Sequence, residues 1–283
     1  MQLWCFLAFA LAFAIKVPLW PLHTWLPDAH TEAPTAGSVL LAGLFLKVGI
    51  YGFYRIAMPL FPAAVHVAQP YLMSLSVIGI VLGALVAMVQ PDMKRLIAYS
   101  SVSHMGFVML GLASLTTEGV EGAILQLVNH GISTGALFLL IGMIYSRTHT
   151  REISNYGGIA KVVPWFTIMF IFTCFSSAGL PGLNNFVGEF LTLMGGFAYS
   201  PVYGAVAATG VVFGAAYLLW LVERVFFGKI THEENKVLKD LTARELVVLM
   251  PLVYAMIWFG VYPRTLLDPV QGSIATFLQL MGR

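Results

Sequence analysis

The sequence predicts an all-α polytopic membrane protein, a helical bundle in which two helices are broken and the two halves run inverted. Composition is the first reason. Of 283 residues, 59% are hydrophobic and only 10% charged, with mean hydropathy +0.84. A soluble domain cannot bury that much apolar surface. The second reason is recurrent apolar stretches of about 20 residues, the length that crosses a bilayer as a helix. The third is three lone ionisable residues, Lys16, Lys47 and Glu189, set inside those stretches. A charge at the bilayer centre costs about 2.5–3.5 kcal/mol on insertion scales and marks an ion or proton pathway.

The formal net charge of +2 is too small and too scattered for a nucleic-acid binder. Cys5 and Cys174 lie far apart in apolar segments, without metal-binding or redox spacing. The first span lacks a basic start and a small-residue cleavage site, so a removable signal peptide is not expected.

Spans are expected at 2–18, 35–57, 70–90, 93–115, 120–146, 163–198, 202–227 and 245–262, with an amphipathic interfacial helix over 266–281. The segment 163–198 is too long for one crossing at about 1.5 Å per residue. Ala178-Gly179-Leu180-Pro181-Gly182-Leu183-Asn184-Asn185 falls at its centre. Proline lacks a donor, glycine permits irregular backbone and asparagine can satisfy freed groups, so a broken helix is expected here. The first span breaks likewise through Pro18, Pro21, Pro27 and Pro34. Irregular backbone at membrane depth persists only inside protein or beside a hydrated cavity. Two such breaks five spans apart run in opposite directions, the arrangement of inverted halves.

Lys94, Arg95, Arg147, Arg151, Lys161, Arg224, Lys229, Lys236, Lys239 and Arg244 fall in loops on one side, against Arg55, Arg264 and Arg283 on the other. That bias puts the first set on the cytoplasmic or equivalent side, with the amino terminus outside.

Lys16 ends a helix just before its break. A proton-exchanging lysine and a lysine snorkelling to the interface fit that position equally. Lys47 is the only charge between Thr35 and Tyr54, with Gly43, Gly49 and Gly52 allowing close helix packing. A proton site is favoured over a structural ion pair. His104 and His130 occupy adjacent spans beside Ser100, Ser101, Ser103 and Asn129, a composition suited to a proton relay, with packing histidines as the alternative. Metal binding is disfavoured because no carboxylate or thiol stands at ligand spacing. Glu189 follows the second break, at the amino end of a half-helix whose dipole favours a carboxylate. A proton terminal is favoured over a structural partner for a lysine. His23, Asp28, His30 and Glu32 lie on the first break and are expected to form the polar network that satisfies its backbone.

These residues carry a resemblance. Lys16-Val-Pro-Leu-Trp-Pro-Leu-His23-Thr-Trp-Leu-Pro-Asp28-Ala-His30-Thr-Glu32-Ala-Pro-Thr, then Leu46-Lys47-Val-Gly-Ile-Tyr-Gly52, resembles the proton-translocating antiporter-like subunits of respiratory complex I, NADH–quinone oxidoreductase, of the M or chain 4 type. The similarity continues through Pro91 to Gly106, Leu127-Val-Asn-His130-Gly, Gly179-Leu-Pro-Gly and Asn185-Phe-Val-Gly-Glu189-Phe. It implies two inverted five-helix repeats, each with a broken helix and a half-channel. In this chain, residues 1–62 would supply the last two spans of the first repeat and 63–230 the second repeat. Residues 231–283 would supply a cytoplasmic loop, the final span and the terminal helix.

By motif match, Lys16 resembles the first-half lysine, Lys47 the connecting lysine, His104 and His130 the central and second-half relay positions, and Glu189 the terminal acid. No cofactor is expected in this chain; NADH, FMN, iron–sulfur clusters and quinone are implied in partner subunits. The expected partners are other complex I membrane subunits, including neighbouring antiporter-like ones, and the lipid bilayer. The expected location is a bacterial plasma membrane or equivalent energy-transducing membrane. The chain resembles a carboxy-terminal fragment, lacking the glutamate that partners the first-half lysine. Alternatives are a subunit of a multi-subunit Na⁺/H⁺ antiporter or membrane-bound hydrogenase, a non-pumping structural linker, and, remotely, a metalloenzyme built on His23, His30, His104 and His130.

Overall fold

A computed structural model describes residues 2–282; Arg283, counted above among the basic residues, lies outside them. The described residues form helices α1 (Gln2–Lys16) and α2 (Trp25–Glu32), then α3 (Thr35–Leu60), α4 (Pro62–Met88), α5 (Met93–Ser114) and α6 (Thr117–Thr148). They continue as α7 (Pro164–Ser177), α8 (Asn184–Tyr199), α9 (Pro201–Phe226), α10 (Ala243–Val261) and α11 (Gln271–Leu280). Six of these, α3–α6, α9 and α10, are long and apolar enough to cross a membrane. The pairs α1–α2 and α7–α8 are the two broken segments.

Boundaries depart from the sequence reading in three places. Pro70 does not start a span but sits inside α4, which begins at Pro62, the favoured first helical position. Pro27 lies in the first turn of α2, where its missing donor is harmless, so the first break is confined to 17–24 and 33–34. The terminal helix is not purely interfacial: Ile274, Phe277 and Leu278 pack into the core.

The middle of the bundle is α5, nearly all of whose residues are buried, among them Ser100, Ser101, Ser103 and His104. It packs against α4, α6 and α8. Lipid offers apolar side chains as good a solvent as protein, so close packing and interhelical polar contacts hold such helices together. The α6–α8 contact shows this. A Cβ at Gly122 would lie 2.6 Å from the Thr192 amide nitrogen and 2.9 Å from the Gly188 carbonyl, so only glycine permits that approach.

The basic loops gather at one end. Asp92 caps α5, accepting from the amides of Lys94 (2.7 Å) and Arg95 (2.9 Å), and pairs with Arg151 at 3.1 Å. Lys94 Nζ donates to the Ala33 carbonyl (2.6 Å) and Arg151 to that of Thr31 (2.8 Å). Arg147 ties Glu245 of α10 to the same end at 2.6 Å. Asp92→Ala removes the cap and the carboxylate partner of Arg151. The expected loss is about 1–2 kcal/mol, read as a lowered thermal midpoint of the purified protein in detergent. An unchanged midpoint would remove Asp92 from this account.

Candidate functional site

Half-way along α3 a π-helical segment, Leu41–Phe45, widens the turn just before Lys47. Such bulges release carbonyls from the helical ladder and recur at functional sites. Here the Ala42 carbonyl accepts from Lys47 Nζ. Gly131 on α6 lets α3 approach closely: a Cβ there would lie 3.0 Å from the Gly43 carbonyl oxygen. The ammonium thereby reaches His130 Nδ1 at 2.7 Å. The His130 and His104 rings lie 5.5 Å apart, centroid to centroid. His104 Nδ1 meets Glu189 Oε1 at 2.8 Å, and Gln126 Nε2 donates to the same oxygen at 3.0 Å. His104, His130, Glu189 and Gln126 are all buried, none more than 5% exposed.

The tautomers of this axis follow from its ends. A protonated Lys47 only donates, so His130 Nδ1 must accept and its proton sits on Nε2. An ionised Glu189 only accepts, so His104 Nδ1 carries the proton and Nε2 accepts. Every donor then points from Lys47 towards Glu189. The two Nε2 atoms are buried without a hydrogen-bond partner among the described residues. Buried polar atoms of this kind are ordinarily satisfied by ordered water.

The second break is held by asparagines, as their position in the sequence led us to expect. Gly179 and Gly182 adopt φ of 74° and 92°. Asn184 and Asn129 exchange bonds between their side chains and each other's carbonyls, at 3.1 and 2.6 Å. Asn185 donates to Ser133 Oγ and to the Ser176 carbonyl. Glu189, however, is the sixth residue of α8, and no acidic residue lies in the first turn. Dipole effects fade beyond that turn. His104 and Gln126, not the helix end, are what Glu189 meets.

The first break differs from expectation. Lys16 is exposed at the end of α1, and no hydrogen bond or ion pair holds it among the described residues. It stands outside the Lys47–Glu189 axis. Asp28 makes an exposed pair with Arg95 at 3.2 Å, Glu32 is exposed, and His23 is half-buried beside Tyr99. Neither carboxylate satisfies the break's backbone, whereas the His23 ring reaches the backbone of Pro21. Carbonyls at helix ends need donors, which carboxylates cannot supply. Trp25, Lys94 and Arg151 supply them instead, to Ile15, Ala33 and Thr31. His30 is fully buried, stacked on Phe138 at 4.5 Å, and close enough to feel the charges of both Lys94 and Lys47.

Gln126 escaped the sequence reading. Its signal was a polar stripe on α6, with Gln126, Asn129, His130, Ser133 and Thr134 at spacings that share one helical face. Among the described residues no three His, Cys, Asp or Glu side chains converge as a metal site would require. The four histidines proposed for a metalloenzyme are therefore not one cluster.

Fold and axis together define an integral, multi-pass helical membrane protein with an oriented chain of titratable groups through its interior. Residues 1–214 match the family described as NADH:quinone oxidoreductase/Mrp antiporter, TM. NADH-quinone oxidoreductase subunit M of Rhodobacter capsulatus is 48% identical over 274 residues, 97% of this chain and 54% of that protein. A chain of respiratory complex I from Thermus thermophilus with bound NADH superposes with TM-score 0.94 at 39% identity, covering all of this chain and 60% of that one. A chain of the Mrp complex from Dietzia sp. DQ12-45-1b shares the fold at TM-score 0.86 and 21% identity, over 96% of this chain and 60% of that one. The chain belongs to the NADH:quinone oxidoreductase/Mrp antiporter transmembrane family. It spans about half the length of the curated relatives it matches.

Proposed function

We propose that this chain translocates protons as a membrane subunit of an NADH–quinone oxidoreductase, coupled to quinone reduction by partner subunits that hold the redox groups. The observation that carries this reading is the buried series Lys47, His130, His104, Glu189, in which each member contacts or directly faces the next. A proton leaving Lys47 Nζ enters His130 at Nδ1 while the Nε2 proton leaves. It crosses one water to His104 Nε2, and the Nδ1 proton passes to Glu189. The shift turns a buried cation and a buried carboxylate into two neutral groups. It is therefore sensitive to any charge brought near either end. Resetting requires a proton delivered to Lys47, one released from Glu189, and reorientation that returns both imidazoles and the water between them to their starting hydrogen-bond polarity. The identity of nearly half with subunit M favours the oxidoreductase over the antiporter alternative.

The test is NADH-driven proton uptake by inverted vesicles carrying Glu189→Gln in the assembled complex, with electron transfer and subunit content measured on the same sample. Glutamine keeps an acceptor for His104 but cannot take up the proton. The expected result is intact assembly with translocation reduced about tenfold or more. Unchanged protons per NADH would make the chain a structural linker.

A further inference from the structure

The axis leaves one oxygen of Glu189 unclaimed. Oε1 takes both hydrogen bonds, from His104 and Gln126. Oε2 lies beside the break, 3.1 Å from where Gly179 would carry a Cβ. Glu189 lines a cavity of about 310 Å³ between α8 and α9, a volume at the small end of the range for small-molecule sites. Apart from this carboxylate its walls are apolar, with Phe186 and Phe190 on one side and Val211 and Val212 on the other. The two phenyl rings stack with centroids 5.9 Å apart. Phe190 and Val212 are exposed on the outer face of the bundle, so the cavity opens sideways, where lipid meets a membrane protein.

Apolar walls, aromatic rings and one carboxylate oxygen select an organic cation. The carboxylate pairs with the charge, and the aromatic and aliphatic walls take up its hydrophobic part. A neutral acyl chain would gain nothing from the carboxylate. A metal ion would find a single oxygen where several ligands are needed. We propose that this cavity is a binding site for a lipophilic ammonium or amidinium, entering from the side of the bundle and pairing with Glu189 Oε2. Binding itself needs only the cavity and Glu189, and does not rest on the proton route.

The test is photolabelling of membranes containing the chain with 4-(trifluoromethyldiazirinyl)benzylamine and with the matching benzyl alcohol, at neutral pH. The amine is a cation and the alcohol is not, on the same scaffold. The amine is expected to label α8 and α9 peptides about tenfold more than the alcohol. Glu189→Gln should bring that ratio to about one without changing alcohol labelling, which reports that the cavity survives. Ala208→Phe, which fills the cavity and keeps Glu189, should abolish labelling by both. Equal labelling by amine and alcohol, an amine preference that outlives Glu189→Gln, or no labelling of these helices would each overturn the proposal. Because the readout is covalent attachment, loss of proton translocation in a variant would leave this result standing.

Discussion

Lys47→Arg in the assembled complex is expected to abolish proton translocation while leaving the subunit folded and inserted. Arginine keeps the positive charge and the donors that meet the Ala42 carbonyl and His130. It does not deprotonate in proteins. If Lys47 were only a structural ion, arginine would serve nearly as well. If Lys47 gives up its proton to His130, arginine stops the chain at its first step, and the expected loss is about tenfold or more in protons per electron. Lys47→Met separates the two roles further. It removes the charge whose insertion costs about 2.5–3.5 kcal/mol, so the variant should be as stable as the parent or more so, yet inactive in translocation. Vesicle proton uptake and thermal unfolding of the same preparations check both. An active Lys47→Arg would end the case for proton release at this residue.

Gly122→Val is expected to be strongly destabilising. Its Cβ would meet backbone atoms of α8 at 2.6 and 2.9 Å, and backbone cannot rotate away as a side chain can. Helices α6 and α8 would have to separate. The Asn129–Asn184 exchange, the Asn185–Ser133 bond and the Gln126–Glu189 bond all cross that contact. Overpacking alone costs about 1–3 kcal/mol, and each lost hydrogen bond adds about 1 kcal/mol. The expected outcome is a thermal midpoint far below that of the parent, or failure to accumulate in the membrane. Gly272→Ala is the control: no atom lies within 4 Å of a Cβ there, and alanine is the better helix former. Comparable damage from both changes would show that packing at Gly122 is not the cause.

Much of the fold was legible because the bilayer allows so few solutions. A charge-free stretch of about 20 apolar residues can only be a helix there. Lys47, His104, His130 and Glu189 stood out for the same reason, as polar groups where polarity is costly. The breaks at 17–24 and 178–183 were readable from proline and glycine. Pro70 misled because a proline inside a membrane helix looks, in sequence, like a proline that begins one. Lys16 stayed open between a proton site and a snorkelling lysine because that choice depends on depth and exposure, and neither is written in the run of residues around it. Gln126 was overlooked because an amide carries no charge to draw attention, although its stripe on α6 announced it.

The sequence by itself determined which segments span the membrane, where two of them break, which end gathers the basic loops, and which residue types could carry a proton. Those are properties of single segments, set by transfer from water to an apolar medium and by backbone chemistry. Only the tertiary structure decided that four of the polar residues form one axis and that Lys16 stands apart. It also placed Glu189 on the wall of a lateral cavity. These depend on distances of about 3 Å between side chains 83 to 85 positions apart. Such distances are set by how closely α6 packs on α3 and α5 on α8, which glycines at Gly131 and Gly111 allow but no local pattern specifies.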